Sequence, residues 1–132
     1  MTLDEIQKMS DRDLKVHSTK LYKISMDVPI LHNKYYKLFS KERLSFKKLE
    51  GEYDQLFREK YHYYMIDYQY TLDKKEVLIY IAGDVNIITK KNQMEFSKEK
   101  LRALEGIIDN INRISFNIRN AVVYSPFFII VI

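Results

Sequence analysis

Cysteine is absent from the 132-residue chain. Its absence excludes a disulfide framework, a cysteine-ligated zinc or iron–sulfur site and a thiol nucleophile, and suits a reducing cytosol. Glycine and proline are almost missing too, at three and two residues. Folds made only of strands need frequent turns, so this scarcity argues for long, uninterrupted helices. No run of about 20 apolar residues occurs, so no membrane-spanning helix is expected. Met1–Ser10 mixes acids with apolar residues and does not read as a signal peptide. Glycine-rich phosphate loops are lacking. His17, His32 and His62 stand alone, with no carboxylate at ligand spacing, which argues against a zinc or nucleophilic site. The close acid pairs Asp11/Asp13 and Glu50/Glu52 are two apart and point to different faces of a helix. The chain therefore does not read as an enzyme, and neither a catalytic residue nor a cofactor or metal is expected.

What is present is enough for one domain with a modest core: 46% hydrophobic and 30% charged residues. The net charge is +4, a mild bias toward polyanions. Within 34–48 it sharpens to +5, with Lys34, Lys37, Lys41, Arg43, Lys47 and Lys48 against Glu42 alone. Tyr35, Tyr36, Phe39 and Phe46 are interleaved, and nine of the eleven tyrosines fall between Tyr22 and Tyr70. Cations that follow a phosphate backbone, mixed with rings on which bases stack, are what single-stranded nucleic acid binding requires. The same pattern alone reads equally well as a helix with a solvated basic face and core aromatics.

The spacing predicts a mainly α fold. Thr2 and Glu5 form a capping box before a short helix. Ser10 and Asp13 mark a second start, for a helix from about Asp11 to Met26 that Pro29 ends or kinks. Pro29 suits the first turn of a following helix, and Ser40 the N-cap of a third. The third helix carries Leu44, Leu49, Tyr53, Leu56, Phe57, Tyr61 and Tyr64 as one stripe. Gly51 interrupts that stripe's helix, either for a close approach by a neighbouring chain or as a tolerated weakness. The β-branched run Val77–Ile81 reads as a short extended segment over 76–82, followed by a turn at Gly83-Asp84. Val85–Thr89 reads either as a hairpin partner or as a helix capped by Asp84. The helix is favoured because the periodic pattern continues.

Leu101, Leu104, Ile108, Ile111, Ser115, Ile118 and Val122 repeat at 3-4-3-4-3-4, a heptad seam. A helix of 35–40 residues would be about 50–60 Å long and would overhang a domain of this size. Leu101, Leu104, Ile108, Ile111, Ile118 and Val122 are therefore expected to mediate oligomerisation. The end of the chain, Tyr124 to Ile132, is almost wholly apolar, and Pro126 is expected to stop the helix. Packing inside an oligomer suits this end best, with contact to a membrane surface as the alternative. The organisation expected is 1–70 as an N-terminal helical basic region, 71–84 as an extended connector, and 85–132 as an oligomerisation helix with an apolar tail. Together they form one domain, whose long helix packs in an oligomeric bundle or ring.

Several strings together resemble the UvsY family, the recombination mediators of T4-type tailed bacteriophages. They are Met1–Ser10, Ser18-Thr19-Lys20-Leu21, His32-Asn33-Lys34-Tyr35, Leu49-Glu50-Gly51-Glu52-Tyr53, Arg58-Glu59-Lys60 with Tyr61, Tyr63 and Tyr64, Leu104-Glu105, and Asn112 to Arg119. Their order and spacing carry the resemblance over about residues 1–124; the middle, 65–84, matches weakly, and the apolar end after Tyr124 departs from it. The resemblance implies a non-enzymatic loading factor in the cytoplasm of an infected bacterial host. It would form a ring of six or seven copies and bind single-stranded DNA coated by the phage single-strand-binding protein. It would help exchange that coat for the phage recombinase, and so serve recombination, repair and recombination-dependent replication. It also implies that Arg58 and Lys60 contact the strand. With the basic strip, the expected DNA-binding residues are Lys34, Lys37, Lys41, Lys47, Arg58 and Lys60, with Tyr35, Tyr36 and Tyr63 as stacking rings. The competing reading is a structural coiled-coil adaptor that binds no nucleic acid.

Overall fold

The computed structural model describes residues 1–14 and 21–124, with side chains described for 1–14 and 27–120. It contains helices α1 (Leu3–Asp13), α2 (Leu21–His62), α3 (Lys74–Ala82) and α4 (Val85–Tyr124), with a π-helical turn at Tyr63–Asp67 directly after α2. No strand occurs among the described residues. The fold is mainly α, as the scarcity of glycine and proline predicts.

Helix α1 starts as the capping box predicts. Thr2 Oγ1 accepts from the Glu5 N–H at 3.2 Å, and Glu5 Oε2 accepts from the Thr2 N–H at 3.0 Å. Ser10 does not start a second helix. It is buried within α1, whose last carbonyl bond runs from the Leu14 N–H to the Ser10 carbonyl. Of the expected helix over Asp11–Met26, Asp11–Asp13 belong to the end of α1 and 21–26 to the start of α2, while 15–20 lie outside the described residues, as does the chain beyond Tyr124 with the Pro126 stop and the apolar tail.

Two of the expected interruptions are missing. Helix α2 runs through both Pro29 and Ser40 without a break. Proline in a helix interior removes one backbone bond and is worth roughly 3 kcal/mol against the helix. Val28 and Tyr35 flank Pro29 and are buried in one core, so tertiary packing holds the backbone helical against the local preference. Gly51 and Gly106 lie inside α2 and α4, and a Cβ at either would meet nothing within 4 Å. No close approach within the chain requires glycine at either position.

The extended connector is also corrected: most of it is α3. Asp73 Oδ1 accepts from the Glu76 N–H at 2.8 Å, and Glu76 Oε1 accepts from the Asp73 N–H at 3.3 Å. Val77 and Ile81, one turn apart, bury the same face. A capping box with an i, i+4 buried pair overrides the β preference of Val-Leu-Ile-Tyr-Ile. Asp84 then begins α4 as the favoured reading has it, with Oδ1 accepting from the Asn86 N–H at 2.9 Å.

The chain forms two compact units. Unit 1 takes residues 1–41 and 100–132. Its core is Ile6, Val28, Tyr35, Leu104, Ile107 and Ile111, with Leu31, Leu38, Ile108, Ile114 and Ile118 packed around it. Burial of each such side chain stabilises by about 1.5–3 kcal/mol. The heptad seam is thus partly consumed inside one chain. Leu104 and Ile111 are each 1% exposed, while Leu101, Ile108, Ser115 and Ile118 are half-buried. Val122 lies among residues whose side chains are not described.

Unit 2 takes residues 42–99. Leu72, Val77, Ile81 and Ile87 are buried against Tyr53, Leu56, Phe57, Tyr61, Tyr64 and Tyr68. Polar ties join α2 to α4 within it. The buried Ser97 hydroxyl donates to Glu42 at 2.7 Å, and Lys90 meets Glu52 at 2.8 Å.

Candidate nucleic-acid interface

Helix α2 turns about 100° per residue, which sorts the cations of unit 2 into two sides. Phe46, Leu49, Tyr53, Leu56 and Tyr64 lie on the core side. Lys60, one turn after Leu56, points the same way. Its side chain is 22% exposed, and its ammonium group sits 3.2 Å from Asp84 and 5.9 Å from the centre of the Tyr63 ring. Arg43, Lys47 and Arg58 occupy the other side and are exposed. Lys47 and Arg58 are eleven residues apart, which is about three turns, so they are nearly in line. None of the three forms an ion pair among the described residues. Lys48 is also exposed, but it acts electrostatically on Glu52.

Arg58 and Lys60 are therefore not brought together. Two residues apart, they diverge by about 200° around the helix. Arg58 faces outward, and Lys60 is spent on Asp84. In unit 1 a similar division holds. Lys34 lies 2.6 Å from Asp13, which also accepts from the Tyr35 hydroxyl at 2.8 Å. Lys37 and Lys41, one turn apart, are exposed. Of the expected stacking rings, Tyr35 is fully buried and closed to a base. Tyr36 is exposed and stacked on His32, and Tyr63 is half-open, packed edge-on against Tyr64 and Tyr68.

A surface feature of unit 2 that composition did not disclose lies beside Arg58. Phe57, Arg58, Tyr61, His62, Met65 and Ile66 line a shallow groove of about 380 Å³ with almost wholly apolar walls. The spacing i, i+1, i+4, i+5, i+8, i+9 marks two adjacent ridges of one helix face, with the groove between them. The π turn continues that face with a wider repeat, closed by the Tyr68 N–H on the Tyr63 carbonyl at 2.8 Å. The spacing is present in the sequence. The turn that ends the pattern is not signalled by any glycine or proline.

Asp84 organises the electrostatics of this unit. Burial pushes its carboxyl up, but hydrogen bonds from Tyr64 and Lys60 and from the Asn86 N–H outweigh that and hold it below the usual carboxylate range. Asp13 behaves the same way: burial opposes, and Lys34 with Tyr35 prevails. The hydrogen bond to Asp84, together with burial, pushes the Tyr64 phenol up to about 12 from 10.0. The signs fix the pH response. The two carboxylates stabilise fully above their ordinary value of 3.8, and that stabilisation fades as pH falls through their lower folded values. The Tyr64 contribution is complete below pH 10 and is lost as pH rises through about 12. The stability difference between the native chain and Tyr64→Phe, measured by urea unfolding, is expected to shrink between pH 10 and 12. A difference that stays constant over that range would detach Tyr64 from the alkaline response.

Among the described residues no helix is long and apolar enough to cross a membrane, and no cluster of acidic and imidazole side chains could hold a metal ion. Fold and surface together define a mainly helical protein with a cationic helix face, free of ion pairs among the described residues, beside an apolar groove. The family model described as "Recombination, repair and ssDNA binding protein UvsY" matches residues 9–127. The chain belongs to this family of recombination, repair and single-stranded DNA binding proteins. Among solved structures it is similar to the crystal structure of the bacteriophage T4 recombination mediator protein UvsY. The two are 19% identical, with 91% of this chain and 92% of that chain covered and a TM-score of 0.82. That likeness establishes a shared helical fold. A search among curated proteins gives no match.

Proposed function

We propose that this chain is a recombination mediator acting in the cytoplasm of an infected bacterium. It binds single-stranded DNA and helps the phage recombinase replace the single-strand-binding protein that coats the strand, in recombination, repair and recombination-dependent replication. The observation that carries the reading is the exposed Arg58 in line with Lys47, without an ion pair among the described residues and at the edge of an apolar groove, in a chain of this family. Each phosphate contact is weak and salt-sensitive. A homo-oligomer, a ring of six or seven copies, would repeat the cationic face. A strand held by one copy then meets the next at high effective concentration. Many exchangeable contacts hold the strand while leaving room for one coat to give way to another. In unit 1, Lys37 and Lys41 are the expected phosphate contacts, and Lys34 serves the fold through Asp13. The half-buried Leu101, Ile108 and Ile118 are the seam residues with surface left for a second copy; Leu104 and Ile111 support α4 from inside.

Fluorescence anisotropy on labelled single-stranded and duplex oligonucleotides across a salt series tests this. Preference for single strands that fades with salt is expected. Arg58→Ala should weaken binding and lower the salt slope by about one. Lys60→Ala should leave the slope unchanged and lower stability. An unaltered slope for Arg58→Ala removes it from the interface. Absence of salt-dependent binding by the native chain favours the adaptor reading.

A further inference from the structure

We infer that the groove bounded by Phe57, Arg58, Tyr61, His62, Met65 and Ile66 receives an unstacked base of the bound strand. The inference deepens the single-strand reading above and rests on it. The groove lies within unit 2, along one face of α2 and the π turn. Its walls are rings and thioether or aliphatic carbon, the surfaces on which a base face loses water favourably. Ile66 is 68% exposed and Met65 38%, so the apolar floor lies open to solvent. Phe57 and Tyr61 are half-buried and anchored in the core of unit 2, which presents their outer edges without freedom to collapse into the groove. His62 Nδ1 lies 3.6 Å from the Asp67 carboxylate.

The charge at the groove selects the occupant. Arg58, at its edge, has no ion pair among the described residues, and Lys47 lies three turns up the same line. A strand whose phosphates follow Lys47 and Arg58 brings a sugar and base against the groove. An apolar side chain from another protein would fill the same carbon surface, but would leave Arg58 without an anion. A duplex keeps its bases stacked inside and has none to insert. The groove therefore accounts for discrimination between single and double strands, which the cations alone do not supply.

The test compares oligothymidylate with an oligonucleotide of equal length whose sugars carry no bases, using the full chain. Both have the same phosphates. The native chain should bind the baseless strand about 5- to 150-fold more weakly. Met65→Ser combined with Ile66→Ser should lose most of that discrimination and keep the native salt slope. Both positions are exposed, and far-UV circular dichroism checks the fold. Discrimination equal to that of the native chain overturns the inference. So does a changed oligomeric state at unchanged DNA affinity, which would make the groove a contact between subunits. If the variant loses its fold, photocross-linking of iodouracil-substituted DNA to the native chain decides. Cross-links within residues 57–66 support the groove; cross-links confined elsewhere overturn it. Failure of the underlying reading looks different: the native chain then binds neither strand.

Discussion

Leu104→Ala is expected to destabilise the protein by about 2–5 kcal/mol, because truncation removes a fully buried side chain and leaves a cavity among rigid neighbours. Leu104 is 1% exposed within the core that Ile6, Val28 and Tyr35 share with α4. Its loss should therefore appear as a lower urea midpoint at every protein concentration. Leu101→Ala and Ile118→Ala, at half-buried positions, should perturb the fold less. Urea unfolding followed by circular dichroism at widely separated concentrations reads the contrast. A Leu104→Ala defect that vanishes at high concentration would place this side chain in a subunit contact.

Asp84→Ala should lower stability by about 2–3 kcal/mol at neutral pH. Its side chain is 9% exposed and meets Lys60 at 3.2 Å, the Tyr64 hydroxyl at 2.8 Å and the Asn86 N–H at 2.9 Å. Removing the carboxylate leaves a half-buried ammonium and a hydroxyl without their acceptor, and strips the first turn of α4 of its cap. Tyr64→Phe deletes one of those bonds and should be worth about 1 kcal/mol. The two substitutions share a partner, so their effects should fall short of additive in a double-mutant cycle. A loss under about 0.5 kcal/mol for Asp84→Ala, at the level of an ordinary surface change, would mean that water replaces these contacts freely.

Much of this was legible in the residues, and the departures have identifiable causes. Thr2-x-x-Glu5 announces α1, and Asp73-x-x-Glu76 announces α3 in the same chemical language, yet the run Val77–Ile81 invites a strand. Periodicity cannot separate a short apolar helix from a buried strand, and the cap decides. Pro29 and Ser40 look like boundaries because local preferences say so; burial of Val28 and Tyr35 overrules them. The seam of α4 is visible from its spacing, but a heptad does not say whether its partner is the same chain or another. The basic strip is likewise visible as composition. Which cation is free depends on distant carboxylates: Asp13 takes Lys34 and Asp84 takes Lys60, and neither acid is near its partner in sequence. The groove beside Arg58 required the helix surface itself.

The two units differ in how the polypeptide closes them. Unit 2 is one uninterrupted stretch, 42–99, whereas unit 1 draws on both ends, 1–41 and 100–132. The stretch 42–99 holds all of its own partners before residue 100 is added. Its contacts span shorter loops and cost less closure entropy. Unit 1 must wait for residues 100–132, a quarter of the sequence. Until then, Ile6, Val28 and Tyr35 lack Leu104, Ile107 and Ile111 to pack on, and a released chain truncated near residue 100 should be half-folded, protease-resistant in its middle and sticky at its beginning.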